Sequence, residues 1–214
     1  MKKSIVLVAI VAIVASAFTA FKSAKKESIV LNEEVKMNVN LVADNVDLTA
    51  SVLNWKGAKP TGTHNGTVAL KSGSLELKNG KLTGGVFVVD LSSIKCLDLA
   101  GTDGAGKLEG HLKGEDFFDV AKYPTSTFTI TKVKNNGGKL AVTGNLQIKD
   151  VTKSITIPAM ISTENGVTTF KSEVFNINRA DFNVKYGSKS FFDNLKDKFI
   201  DDMMEMSFVV KTKA

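Results

Sequence analysis

Residues 125–148 read TSTFTITKVKNNGGKLAVTGNLQI, and this stretch carries the strongest fold signal in the chain. Apolar residues alternate with threonine, lysine and other polar residues on both sides of the run NNGG at 135–138. A period of two places apolar side chains on one face of a β-strand, and Asn and Gly accept the positive φ of a tight hairpin. The stretch therefore predicts two antiparallel strands joined by a short turn.

The same pattern extends from residue 44 to the C-terminus, with further turn signals at Asn79-Gly80 and Asn165-Gly166. Seven or eight strands with hairpin connections predict an all-β sandwich or a closed barrel. A closed barrel removes exposed strand edges, and eight strands leave room inside for one small ligand. Two segments, 92–118 and 191–199, break the alternation. We expect each to form short helical turns that either cap the mouth of a barrel or only plug it.

The N-terminal region has the features of a targeting segment. Lys2 and Lys3 precede an apolar run over residues 5–14, and the sequence ASA follows at 15–17. A charged start, a short apolar run and a small-residue cleavage site predict a secretory signal peptide over residues 1–17. We expect a loose leader over 18–43 and one folded domain over 44–214. Cys96 is the single cysteine, so no internal disulfide is expected, and its apolar neighbours favour a buried thiol.

The composition argues against several function classes. The formal net charge is +6, but Arg179 is the only arginine among 28 basic residues and the lysines are dispersed. Nucleic-acid-binding proteins usually cluster basic residues and use arginine, so we expect no nucleic-acid partner. Weak attraction to an anionic membrane remains an alternative.

No pattern of catalytic or metal-binding residues is evident. His64 and His111 are the only histidines, and with one cysteine they predict no clustered zinc ligands. The nucleophile elbow, the phosphate-binding loop and the dinucleotide fingerprint are missing. We therefore expect no enzyme activity, no metal and no cofactor.

Five stretches together resemble a known family. They are GTHNG at 62–66, KLEGHLKGEDFFDV at 107–120, KYPTSTF at 122–128, VTGNLQIKDVTK at 142–153 and INRADFNVKYG at 177–187. Their order and spacing resemble the YceI-like family, which comprises lipid- and polyisoprenoid-binding periplasmic proteins. The resemblance covers roughly residues 47–211.

This resemblance implies a lipocalin-like, eight-stranded antiparallel barrel. It also implies a non-catalytic periplasmic carrier that holds a long isoprenoid or similar lipid in an internal apolar channel, with the polar head near the mouth. Two alternatives stay open. One is a structural or stress protein whose barrel is filled by its own side chains, and the other is an isomerase or hydrolase that uses His64 or His111. Transient membrane contact and a homodimer are also open.

The expected ligand-binding residues are mostly aromatic, because a flexible isoprenoid needs apolar surface and little directional bonding. The candidates for the channel wall are Trp55, Phe87, Phe117, Phe118, Phe128, Phe170, Phe175, Phe182, Phe191 and Phe192. The polar candidates are His64, His111 and Arg179, with Asp181 nearby in sequence. Arg179 offers a fork of donors for a phosphate or carboxylate head group, or else pairs with Asp181 or another acid.

Overall fold

The computed structural model describes residues 45–214, which form nine antiparallel strands. The strands are β1 (Val46–Lys59), β2 (Gly62–Lys78), β3 (Lys81–Cys96), β4 (Thr125–Asn136), β5 (Lys139–Ile148), β6 (Val151–Glu164), β7 (Val167–Ser172), β8 (Phe175–Asn178) and β9 (Met203–Thr212). The signal peptide and leader predicted for residues 1–43 lie outside the described residues.

The strands close into a barrel. Neighbours in sequence pair from β1 through β7, β9 follows β7, and β1 pairs with β9 to close the sheet. β7 and β8 occupy the same edge of β9, because β7 pairs near Val210 and β8 pairs with the start of β9. The wall therefore has eight positions, one of which is shared by two short strands. The predicted eight-stranded antiparallel barrel is confirmed.

Two-residue turns set the register of the hairpins. Asn79-Gly80, Gly137-Gly138 and Asn165-Gly166 all adopt positive φ, and in each case the flanking residues pair directly across the hairpin. Positive φ at both central residues gives a turn whose twist matches that of the strands. These turns keep the alternating apolar residues of each strand on the inner face.

The helical expectations are partly wrong. Over 92–118, β3 continues to Cys96, and an eleven-residue helix, α1 (Asp103–Lys113), replaces the expected one or two helical turns. Over 191–199, the only helical element is a 3₁₀ turn, Lys196–Lys198. Asn194 and Lys196 have positive φ, which interrupts any continuous helix there. No helix in residues 45–214 is long and apolar enough to cross a membrane.

Candidate ligand-binding cavity

The barrel encloses a cavity of about 600 Å³. All nine strands and α1 contribute to its wall, and most of the lining side chains are apolar. Pockets that bind small molecules usually have volumes of a few hundred to a thousand Å³ and a mainly apolar lining. The interior is therefore not filled by the protein's own side chains, in contrast to the self-filled barrel that was one alternative from the sequence.

A row of phenylalanine rings lies along one side of the cavity. The ring centroids of Phe87 and Phe170 are 6.0 Å apart, those of Phe170 and Phe208 are 4.8 Å apart, and those of Phe208 and Phe175 are 6.3 Å apart. Such spacings are typical of favourable aromatic pairs. The row gives the wall a continuous apolar surface with no hydrogen-bonding group of its own.

The mouth of the cavity lies at the β1–β2 hairpin. The exposed lining residues Lys59 and Gly62 belong to this hairpin, and α1 and the segment 185–201 add further lining residues. The backbone N–H of Asp201 donates to the carbonyl oxygen of Ala58 at 2.9 Å, which fixes that segment to the hairpin. Both segments that interrupt the strand pattern therefore contribute to this end of the barrel.

Ten of the thirteen expected ligand-binding residues line the cavity: Trp55, His64, Phe87, His111, Phe117, Phe118, Phe128, Phe170, Phe175 and Arg179. The structure does not place the other three there. Phe182 is buried in the hydrophobic core beside the cavity, in the 3₁₀ turn Arg179–Phe182. Phe191 and Phe192 are 43% and 49% exposed, because they lie in turns on the outer surface rather than on an inward helical face.

The guanidinium of Arg179 donates hydrogen bonds to backbone carbonyl oxygens of the same chain. It donates to those of Val184 (2.8 Å), Ile200 (2.9 Å) and Asp201 (3.0 Å), and the Arg179 side chain is 1% exposed. Nη2 also lies 3.2 Å from Oδ1 of Asp202, without hydrogen-bond geometry. Burial lowers the pKa of Arg179, and Asp202 opposes that effect. The partner acid is thus Asp202 rather than Asp181, and few donors remain for a ligand head group.

Each histidine at the mouth has its own acidic neighbour. Nε2 of His111 lies 3.9 Å from a carboxylate oxygen of Asp116, and its ring packs edge-on against Tyr186 and Phe117. Nδ1 of His64 lies 2.8 Å from Oδ2 of Asp98. An enzyme that used the two histidines together would need them in one cleft beside an acid, whereas His64 and His111 have different acidic neighbours.

His64 belongs to a polar cluster that the sequence did not predict. The thiol of Cys96 donates to Oδ1 of Asp98 at 3.3 Å, and potential ligand atoms of His64, Cys96 and Asp98 all lie within 4.8 Å of one another. The backbone N–H of Asn65 and the His64 ring lower the pKa of Asp98 to about 2, and burial raises the pKa of Cys96. The sequence predicted no clustered ligands for a structural zinc site, but the pairing of β2 with β3 brings His64 and Cys96 together although they are distant in sequence.

Other lining residues were not among the candidates, because the sequence interpretation gave little weight to aliphatic residues and did not extend to β9 or Tyr186. They include Leu70, Leu91, Leu146, Ile157, Tyr186, Met204, Met206 and Phe208. The last three alternate along β9 and so share one face of that strand. This alternation was visible in the sequence and could have identified them.

A closed antiparallel barrel with a largely apolar internal cavity is the architecture of a small-ligand-binding barrel. The chain belongs to the YceI-like family, because the family model named YceI-like domain matches residues 44–212. Curated relatives named Protein YceI, from Salmonella arizonae and Salmonella newport, are 47% identical over 51 residues. That match covers 24% of this chain and only 27% of each relative's length.

Two solved structures share the fold. BcnA of Burkholderia cenocepacia has a TM-score of 0.64 at 24% identity, covering 79% of this chain and all of that chain. A polyisoprenoid-binding domain from Saccharophagus degradans, implicated in plant cell wall breakdown, has a TM-score of 0.61 at 19% identity, covering 79% of this chain and 97% of that one. At these identities the likeness concerns the fold alone.

Proposed function

We propose that this protein binds the chain of a polyisoprenoid or similar long-chain lipid in its cavity and carries it through the periplasm without chemical change. The observation that carries the proposal is the apolar cavity of about 600 Å³ with an opening at one end. Burial of each methylene group contributes about 0.8 kcal/mol, so a long chain needs few polar contacts. The fold shared with the polyisoprenoid-binding domain from Saccharophagus degradans adds support.

The periplasmic location rests on the signal-peptide pattern of residues 1–17 and on the family resemblance. The non-catalytic assignment rests on the separate acidic partners of His64 and His111. Transient membrane contact is part of the proposal, because Phe191 and Phe192 are exposed next to the segment that lines the mouth. The expectation of no nucleic-acid partner stays a prediction, and a homodimer stays an open expectation.

Native mass spectrometry of the protein purified gently from its own envelope tests the carrier function. We expect a co-purifying lipid at near one-to-one stoichiometry, released on denaturation. An apo mass that takes up no added prenyl lipid or fatty acid would contradict the proposal.

A matched pair of variants tests whether the ligand occupies the cavity. Leu146 is buried and lines the cavity, whereas its neighbour Gln147 is exposed. Leu146→Trp should place a larger side chain in the cavity and lower the bound fraction, while Gln147→Trp should leave the bound fraction unchanged. Far-UV circular dichroism and the Tm report whether each variant is folded. Equal lipid binding by the two folded variants would place the ligand elsewhere.

A further inference from the structure

Of the cluster formed by His64, Cys96 and Asp98, His64 lines the cavity at the end where the β1–β2 hairpin lies. His64 is near the start of β2, Cys96 is the last residue of β3, and Asp98 follows it. Gly66 pairs with Cys96 across the two strands, and the backbone N–H of Leu97 donates to the carbonyl oxygen of Asn65 at 2.9 Å. The hairpin register therefore holds His64 beside Cys96 and Asp98, which lie more than thirty residues further along the chain.

The three side chains supply an imidazole nitrogen, a sulfur and a carboxylate oxygen. Their candidate ligand atoms lie within 4.8 Å of one another, so small side-chain movements bring all three to one ion. Zinc takes these three donor types, and zinc sites with three protein ligands keep a fourth position open. A sulfur and an imidazole ligand together favour zinc or a first-row transition-metal ion over magnesium or calcium. We propose that His64, Cys96 and Asp98 form a binding site for a divalent cation of the zinc class.

Neighbouring groups hold two of the three ligands in place. The backbone N–H of Asn65 donates to Oδ1 of Asp98 at 2.8 Å. Glu109 of α1 accepts from the backbone N–H of Cys96 at 3.0 Å and so fixes the end of β3. Hydrogen bonds of this kind orient ligands in known metal sites.

The cluster is also accessible to an ion from one side. Cys96 is only 3% exposed, but the side chains of His64 and Asp98 are 31% and 26% exposed. On binding, the Cys96 thiol loses its proton to the solvent and its sulfur bonds the ion as a thiolate. The His64–Asp98 contact then gives way to two bonds to the same ion. The site does not depend on the lipid, so its test uses the metal alone.

Titration of the reduced, tag-free protein with Co²⁺ is the primary test. A cobalt ion bound by a thiolate gives a charge-transfer band in the near ultraviolet. Because Cys96 is the single cysteine, that band in the unmodified protein identifies its sulfur as a ligand. We expect the band to saturate at one Co²⁺ per chain and to disappear when Zn²⁺ displaces the cobalt. Absence of the band at every Co²⁺ concentration would overturn the proposal.

Variants of each of the three proposed ligands complete the test. Cys96→Ser should abolish the band, and His64→Gln and Asp98→Asn should each raise the Kd for Zn²⁺ by at least about 10-fold, since loss of even an outer partner has that effect. Asp116→Asn is the matched control, because it removes the acid beside the other histidine and should leave the Kd unchanged. Equal Zn²⁺ affinity of Cys96→Ser and the unmodified protein would assign the ion to another place and overturn the proposal.

Discussion

Arg179 Nη2 lies 3.2 Å from Oδ1 of Asp202, and the same guanidinium donates to three backbone carbonyls of residues 184–201. Arg179→Met would leave these carbonyls without a donor and the Asp202 carboxylate without its cation. Breaking a buried pair in this way costs about 3–5 kcal/mol. We expect a loss of that size in the free energy of unfolding, measured by urea denaturation.

The matched control for Arg179 is Lys122, whose ammonium lies 5.1 Å from the Tyr123 ring centroid at an exposed position. Lys122→Met should change the free energy of unfolding by less than about 1 kcal/mol. A similarly small effect of Arg179→Met would contradict the structural role assigned to the guanidinium.

The chain length of the ligand should control affinity if the lipid chain lies in the cavity. Each added methylene that is buried contributes about 0.8 kcal/mol, which lowers the Kd by up to about fourfold. We expect the Kd of saturated fatty acids to fall along a homologous series and then level off when the cavity is full. Competition with a fluorescent fatty acid measures the series. A Kd independent of chain length would contradict binding in the cavity.

Gly144 has no room for a side chain. A Cβ at this position would lie 2.6 Å from the carbonyl oxygen of Thr129 and against the ring of Phe128, which lines the cavity. Gly144→Ala should therefore destabilise the fold by about 1–3 kcal/mol, the usual cost of overpacking, and displace the Phe128 ring.

The control for Gly144 is Gly57 in β1, where an added Cβ would meet nothing within 4 Å. Gly57→Ala should change stability by less than about 0.5 kcal/mol. Denaturation curves that are equal for the two variants would show that the close packing at Gly144 carries no energetic penalty.

Low pH should reduce the stabilisation that the Asp98 carboxylate gives to the folded loop that contains it. Its pKa is held at about 2, below the ordinary 3.8, by the Asn65 backbone N–H and by His64. Because the pKa is lowered in the folded state, the stabilisation is fully present above about pH 4 and is lost as the pH falls towards 2. A carboxyl NMR titration of the metal-free protein should give a midpoint near 2 for Asp98. A midpoint near 3.8 would show that these hydrogen bonds do not hold in solution.

The exposed pair Phe191 and Phe192 should contribute to membrane contact. Lys185 Nζ lies 4.7 Å from the Phe191 ring centroid, so apolar and cationic groups share one surface. Such a surface suits an anionic bilayer. We expect the double variant Phe191→Ser/Phe192→Ser to sediment less with phosphatidylglycerol vesicles while still binding lipid in solution. Vesicle sedimentation as strong as that of the unmodified protein would contradict this role.

The barrel could be predicted from the sequence because the two patterns that indicate it, alternation with a period of two and Asn-Gly turns, each depend on only a few neighbouring residues. Phe87 and Phe170 were correctly expected to point into the barrel for the same reason, since their strands alternate clearly. Arg179 could not be assigned, because its partner Asp202 lies beyond a segment with no regular period. The approach of His64 to Cys96 depends on the register of a long hairpin with several bulges, which local pattern does not determine. The helical spacing inferred for residues 191–199 was wrong because the chain turns there, and Phe191 and Phe192 therefore lie exposed rather than along the cavity.

The sharing of one wall position by β7 and β8 has a mechanical consequence. β6 pairs with β7 only from Ala159 to Glu164, and β8 pairs with β9. Within residues 45–214, the first half of β6 thus has no strand partner on this side and lies beside the 3₁₀ turn Arg179–Phe182. We call this unpaired stretch of wall the seam. The barrel can widen at the seam without breaking the hydrogen bonds between strands that hold the rest of the wall together. A bulky or branched guest would therefore strain the seam first, and amides at residues 151–157 that point towards it should exchange with deuterium earliest within β6.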